Sequence, residues 1–321
     1  GKKTTRVKYS DMTIRRKTGA ANRKVQKLMN LMNMETVHVA WDFLKENGLK
    51  ALILKSKHKI QGIDDDYDYA EWWNLTKPSE EELEEQKKKK FDYMPKFSIV
   101  IPVYKTPEKF LKEMLDSIVE QTYANWELCI ADGSPAGESV ENVLKKYAEK
   151  DARIRYQVLG ENRGISGNTN AALEMAEGDF IVLADHDDRL TPNALFECAK
   201  KLNENENCDV LYSDEDKLDM DGDELFDPHF KPDFNPDLLT SVNYICHLFV
   251  VKKELLDKVG GFRPEYDGAQ DYDFIFRCTE NAKQICHIPK VLYHWRCHPN
   301  STASNPESKL YAFTAGSRAI M

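Results

Sequence analysis

The sequence predicts an α/β fold, with a mostly parallel, Rossmann-like central sheet covered by helices on both faces and a small helical subdomain ahead of it. Three observations predict it. From Lys96 onward, short apolar runs alternate with amphipathic stretches, the pattern of repeated βα units. The run 180–184 (FIVLA) is apolar throughout and stops at Asp185-His186-Asp187-Asp188, as a buried parallel strand does at its carboxyl end. Before residue 60 the apolar residues recur instead at helical spacing.

Residues 20–47 read as helical. Val25, Leu28, Met29 and Met32 fall at i, i+3, i+4 and i+7, and Val37, Ala40, Trp41 and Leu44 repeat the pattern before Gly48. A lysine-rich helical piece follows over 49–59. Residues 61–95 read as a connector. They carry Asp64-Asp65-Asp66, Trp72-Trp73 and the run SEEELEEQKKKK (79–90), a solvated helix with acids ahead of lysines.

The strand-first pattern begins with Phe97–Val103. Thr106 is expected to cap a helix with Pro107 at its first position and Phe110, Leu111, Met114, Leu115 and Ile118 on its buried face. A second strand over 126–131 runs into Asp132-Gly133-Ser134. A helix over 140–147, a strand Ile154–Val158, a glycine-bearing turn over 160–167 and a helix over 168–176 follow. Beyond the central strand, Thr191-Pro192 repeats the cap signature, and 209–212 is the next strand.

The chain of 321 residues, 41% hydrophobic and 10% aromatic, suffices for one large domain and a smaller piece. No stretch approaches the roughly 20 apolar residues of a membrane span, and the N-terminus has no apolar signal-peptide core. Seven scattered cysteines without a C-x-x-C pair argue for reduced thiols, a cytoplasmic home and no structural zinc. Net charge is −9, but residues 1–96 carry 21 Lys+Arg against 15 Asp+Glu, and the remainder 24 against 39. An acidic main domain argues against nucleic acid as partner. The basic N-terminal piece suits anionic lipid or another chain, or is simply a solvated helical face.

In an open α/β sheet, ligands bind outside the carboxyl ends of the strands. Tyr104, Asp132 and the pair Asp185/Asp187 all fall at such ends, on one rim. Carboxylates so close repel one another unless a cation or a web of donors relieves them. Oxygen ligands of this kind suit Mg²⁺ or Mn²⁺ held between protein and phosphates. The rim therefore reads as a D-x-D metal site for a nucleotide diphosphate, with an acidic turn as the competing reading.

Eight motifs in order carry a resemblance: FSIVIPVY (97–104), QTYANWELCIADGS (121–134), ENRGISGNTNAAL (161–173), LADHDDRL (183–190), YSDEDK (212–217), FKPDFNPDLL (230–239), GAQDYDFIFR (268–277) and VLYHWR (291–296). Over 96–305 the chain resembles the inverting family 2 glycosyltransferases of GT-A fold. The likeness is greatest to bacterial enzymes that build cell-surface polysaccharides, of the rhamnosyl- or galactosyl-transferase kind. That gives expected domains of 1–95 (helical subdomain and connector), 96–305 (transferase) and 306–321 (a C-terminal helix). In relatives such a helix often leads to a second transferase domain in the same polypeptide.

The resemblance implies roles. Asp271 is the general base that deprotonates the acceptor hydroxyl, and Asp273 is a support that bonds backbone or Arg277. Asp187 is the metal ligand, with Asp185 on the ribose or on metal-bound water. His294 completes the shell, against the alternative of a hydrogen-bonded histidine at a strand end, with His298 as the looser candidate, and the ion is Mn²⁺ or Mg²⁺. Pro102 and Tyr104 shape a uracil or thymine pocket with Asp132 on the base. Arg163 and Asn170 reach the base or a phosphate. Asp214, Glu215, Asp216 and Gln270 face the donor sugar, against the alternative of a structural acidic turn. Trp295 and Arg296 face the acceptor, against the alternative of a core tryptophan. The partners implied are a nucleotide-diphosphate sugar and a saccharide or lipid-linked saccharide acceptor, met at the inner face of the membrane. The Q-x-x-R-W box and membrane helices of processive relatives are lacking, which implies a soluble, non-processive enzyme. DGSP (132–135) has proline where a second acid or serine is common. A nucleotidyltransferase would want a glycine-rich loop after the first strand, where VYKTPEK stands. A non-catalytic binding module would not need both the metal pair and a base.

Overall fold

The computed structural model describes residues 69–135, 137, 140–297 and 315–319. The helices expected over 20–47 and 49–59, and His298, lie outside them. The chain divides into two units, 1–72 and 73–321. In chain order the helices and strands are α1 (Tyr69–Thr76), α2 (Glu80–Lys88), β1 (Phe97–Val103), α3 (Glu108–Val119), β2 (Trp126–Asp132), α4 (Val140–Ala148), β3 (Ile154–Val158), α5 (Gly164–Leu173), β4 (Phe180–Leu183), β5 (Arg189–Leu190), α6 (Ala194–Glu204), β6 (Val210–Leu218), β7 (Leu225–His229), α7 (Pro236–Leu239), β8 (Phe249–Lys252), α8 (Lys253–Val259), α9 (Gln270–Asn281) and β9 (Ile285–Arg296).

The strands form one sheet in the order β3-β2-β1-β4-β8-β6-β9-β5, with β7 paired to β6. β1 lies parallel to both β2 and β4, and β2 lies parallel to β3. Every residue of β1 and β2 is buried, which is why both read as continuous apolar runs rather than alternating ones. Beyond β4 the expectation of a mostly parallel sheet fails. β8 is antiparallel to β4 and to β6, β5 is antiparallel to β9, and only β6–β9 is parallel. The Rossmann-like half thus ends at β4, and a mixed half begins there.

Two apolar layers cover the sheet. Phe97, Ile99, Ile101 and Val103 meet α3, α4 and α6 on one face. Val100, Ile181 and Val251 meet α5, α8 and α9 on the other. The Thr-Pro signatures mark helix starts but do not cap. α3 begins after Pro107 and α6 after Asn193, neither with a side-chain cap bond, and the hydroxyls of Thr106 and Thr191 are buried without partners. Ser79, in contrast, makes a full capping box with Glu82 at the start of α2. Near the C-terminus Ala315 is buried against the layer of α9, and Arg318 donates to the Glu265 carbonyl.

Candidate active site

The acidic turn after β4 is built from beneath by β9. Asp188 is buried, and its carboxylate accepts the Tyr293 hydroxyl at 2.6 Å and the Arg296 N–H at 2.7 Å. The same Tyr293 oxygen accepts the Asp185 N–H at 3.0 Å, and Arg296 Nε donates to the Asp187 carbonyl at 2.6 Å. Burial pushes the Tyr293 phenol well up, with Asp188 and Asp185 adding to it, so it stays protonated and donates. These bonds fix the backbone of the turn and set Asp185 and Asp187 at its mouth.

Asp185 is crowded. Enclosing protein raises its carboxyl above the usual carboxylate range. His247, with Nε2 3.8 Å from Asp185 Oδ2, opposes that rise, while the charges of Asp187 and Asp271 add to it. Asp188 is pushed well up, by burial first and then by Asp187 and Asp185. Two carboxylates at the mouth of a strand supply the hard oxygen donors a divalent cation takes. Such a cation is commonly held by one or two carboxylates with phosphates and water completing the shell. Asp185 and Asp187 fit that role.

Asp271, on α9, is near enough for its charge to act on Asp185. Gly268 has φ +98°, a region that favours glycine, and its N–H bonds Gln270 Oε1 at 2.8 Å. This turn opens α9 and leaves Asp271 half-buried in the first helical turn, where its charge acts on Asp185 and on Cys246. Asp273, two residues on, is buried and bonds both Arg263 and Arg277, the support expected of it. The spacing therefore separates an accessible acid from a structural one.

The first two strand ends are also stitched together. Pro102 is the penultimate residue of β1, opposite Ala131, and the Tyr104 ring just past the strand is 40% exposed with the Lys105 ammonium 5.6 Å from its centre. Asp132 is buried and accepts the Ser134 N–H at 2.8 Å, while Ser134 Oγ accepts the Lys105 N–H at 2.9 Å. The Arg163 guanidinium is partly exposed on this rim, 3.4 Å from Glu161.

Other residues have tasks different from those expected. Asn170 spends its amide on the backbone of Phe262, accepting its N–H and donating to its carbonyl, both at 2.8 Å, so it braces a loop rather than offering itself to a base. Asp214, Glu215 and Asp216 lie not in a turn but inside β6, and all three are buried. Asp214 accepts the Lys231 N–H and faces His287 at 2.8 Å. Glu215 pairs with the buried Lys231 ammonium, whose pKa burial pulls down while Glu215 opposes. Asp216 bonds His294, its partner in register on β9. His294 is thereby committed to Asp216 and the edge of Trp73, 5.3 Å away. Among the described residues no three His, Cys, Asp or Glu converge in a metal-holding arrangement. Arg296 is fully buried, stacked 4.5 Å over Phe110 and bonded to Glu113, and so belongs to the wall rather than to an acceptor surface. Trp295 is half-buried and edge-on to His247 at 6.3 Å.

Sequence reasoning missed Asp188, Tyr293 and His247. Strand parity could have found Tyr293, since 293 and 295 share a face of β9 and 294 takes the other. Nothing in the sequence singles out His247, whose ring stacks on Tyr293 at 4.8 Å.

The chain matches the model of the family described as "Glycosyl transferase family 2" over residues 98–260, just over half its length. It is 44% identical to an uncharacterised protein, y4gI, of Sinorhizobium fredii, over 70% of this chain and 25% of that protein. It is 35% identical to the O-antigen biosynthesis protein RfbC of Myxococcus xanthus, over 79% of this chain and 20% of that protein. The chain thus spans a quarter or less of the length of these two relatives. Among solved structures it resembles residues 1–349 of S. aureus TarS in complex with UDP-GlcNAc, with a TM-score of 0.56 and 24% identity over 70% of this chain and 66% of that one. That last likeness is one of fold.

Proposed function

The chain belongs to glycosyl transferase family 2 and has the GT-A fold, and on that footing we propose that it moves a sugar from a UDP- or dTDP-linked donor to a hydroxyl of a glycan or lipid-linked saccharide, with inversion at the anomeric carbon. The observation that carries this reading is that Asp271, in the first turn of α9, lies within electrostatic reach of Asp185 in the acidic turn that follows β4. The name of the RfbC relative and the ligand of the TarS structure support the classes of acceptor and donor. The reaction belongs to bacterial cell-surface polysaccharide assembly on the cytoplasmic side. Among the described residues no helix is long and apolar enough to cross a membrane.

In this reading Pro102, Tyr104 and Asp132 hold the base, and Arg163 steadies the nucleotide. Asp187 and Asp185 hold a Mn²⁺ or Mg²⁺ ion, which offsets the charge of the departing diphosphate when bound. The acceptor oxygen attacks the anomeric carbon from the face opposite the diphosphate, and Asp271 takes the hydroxyl proton. The bond from that carbon to the diphosphate oxygen breaks, its electron pair leaving with the nucleotide. Calorimetric titration of UDP, GDP and dTDP, with and without Mn²⁺, tests the donor site. Asp271→Asn tests the base: it is expected to bind UDP or dTDP normally and to lower transfer by about 10²–10⁴-fold, the usual contribution of general-base catalysis. Wild-type turnover in that variant would remove Asp271 from the role.

A further inference from the structure

The Asp267 carboxylate takes no part in the chemistry proposed above. Asp267 ends the short 3-10 turn Pro264–Tyr266 and stands four residues before Asp271. Its Oδ1 accepts both the Ser166 hydroxyl, at 2.5 Å, and the Ser166 N–H, at 3.3 Å, 101 residues away in sequence. Ser166 is fully buried. The other oxygen lies against Gly164, where an added Cβ would stand 2.7 Å from Oδ2, and Gly164 has φ +76°. Asp267 thus occupies the N-terminus of α5, where a negative charge is favoured.

That helix end also organises the nucleotide-side rim. Asn162 Oδ1 accepts the Gly164 N–H and an Asn168 amide proton, both at 3.0 Å, and Asn168 Oδ1 accepts the Arg163 N–H at 3.1 Å. Asn168 packs so closely on Gly133 that a Cβ there would meet its amide at 2.6 Å. One chain of bonds and contacts therefore runs from the Asp132–Gly133 strand end, through Asn168 and the Asn162–Arg163 loop, to Ser166 and Asp267. Two further ties, Asn170 on Phe262 and Asp273 on Arg263, hold the same approach to α9.

We propose that Asp267 is a positioning residue: its bond to Ser166 sets Asp271 in register with the nucleotide loop, so that the base stands correctly over a bound donor. This rests on the reading of Asp271 as the base. An error of about 1 Å in a reacting group can cost on the order of 10²-fold in rate without loss of binding.

The test uses the full chain and reads two quantities. One is nucleoside diphosphate release from whichever of the UDP-, dTDP- and GDP-linked hexoses the wild type consumes fastest. The other is UDP affinity in Mn²⁺. Asp267→Ala is expected to slow release by about 10–100-fold while UDP affinity changes by less than about threefold. Asp267→Asn keeps an oxygen for Ser166 and should recover most of the rate. Ser166→Ala, which removes only one donor, should show a smaller fall in the same direction and serves if Asp267→Ala does not fold. In the Asp271→Asn background Asp267→Ala should cost less than about twofold more, because residues acting as a unit are not additive.

A full multiplicative loss in the double variant, wild-type release in Asp267→Ala, or UDP affinity falling as far as rate would each overturn the proposal. If Asp271→Asn is slow and Asp267→Ala is not, only the positioning role falls. If Asp271→Asn itself releases nucleotide at the wild-type rate, the base assignment falls and takes the positioning role with it.

Discussion

Asp187 and Asp188 are adjacent and chemically identical, yet the fold gives them opposite work. Asp188 is sealed under the turn with Tyr293 and Arg296 as donors, while the Asp187 side chain stays 16% exposed, 3.5 Å from His186. Asp187→Ala is therefore expected to remove the Mn²⁺ dependence of UDP or dTDP binding and to leave the thermal transition in place. Calorimetric titration beside a melting curve checks it, and unchanged metal dependence would count against the metal assignment. The sequence supplied the acids but not their partners. Asp214, Glu215 and Asp216 read as residues beyond a strand end, facing the donor sugar or forming an acidic turn, because acids rarely sit inside strands. Lys231, His287 and His294, all distant in sequence, make their burial tolerable. Asn170 misled for the same reason: a side chain that is polar and well placed was already bound to backbone.

The element that carries most of the unanticipated burden is α3, which joins the acidic turn to the rest of the sheet through Glu113. Its carboxylate binds both Arg189 of β5 and the fully buried Arg296 of β9. Burial works against the charge on Glu113, but the two arginines outweigh it and hold the carboxyl below its usual value. A carboxylate depressed in the folded state adds stability above its unfolded pKa and loses it as pH falls through the folded one. Glu113→Gln should therefore destabilise by about 3 kcal/mol at neutral pH, the order found when a buried ion loses its partner. The deficit should shrink as the solution is acidified through pH 4. Urea unfolding at pH 7 and in acid measures both, and a deficit independent of pH would exclude the ion network as its cause. At this scale the parallel half of the sheet was legible, because β1, β2 and β4 are largely apolar and are followed by polar ends. The mixed half was not. β8 is only four residues long, and the acids at the centre of β6 hid its length.

For the whole molecule, the open matter is where the catalytic unit begins. The change from helical to strand-first pattern suggests residue 95, and the chain divides into its two units after Trp72. The reason lies between them. Gln86 of α2 accepts the Thr122 hydroxyl at 2.8 Å, and Phe91 packs 5.2 Å from Phe196. Tyr93 exchanges two backbone bonds with the Asn203 side chain, at 3.0 and 2.8 Å. None of these is visible as a pattern, since Leu83 is the one apolar residue of α2 and the aromatic residues are isolated in a charged segment. A chain starting at Trp73 should unfold cooperatively and bind UDP in Mn²⁺. One starting at Met94 should keep that binding, because the rim residues lie at the carboxyl ends of β1, β2 and β4. It should nevertheless be less stable by about 2–3 kcal/mol, the scale of one phenylalanine returned to water. Denaturant midpoints of the two chains decide between the boundaries. Equal midpoints would place the start of the unit at 95, whereas loss of UDP binding on removing residues 73–93 would make α2 and Phe91 part of the site itself.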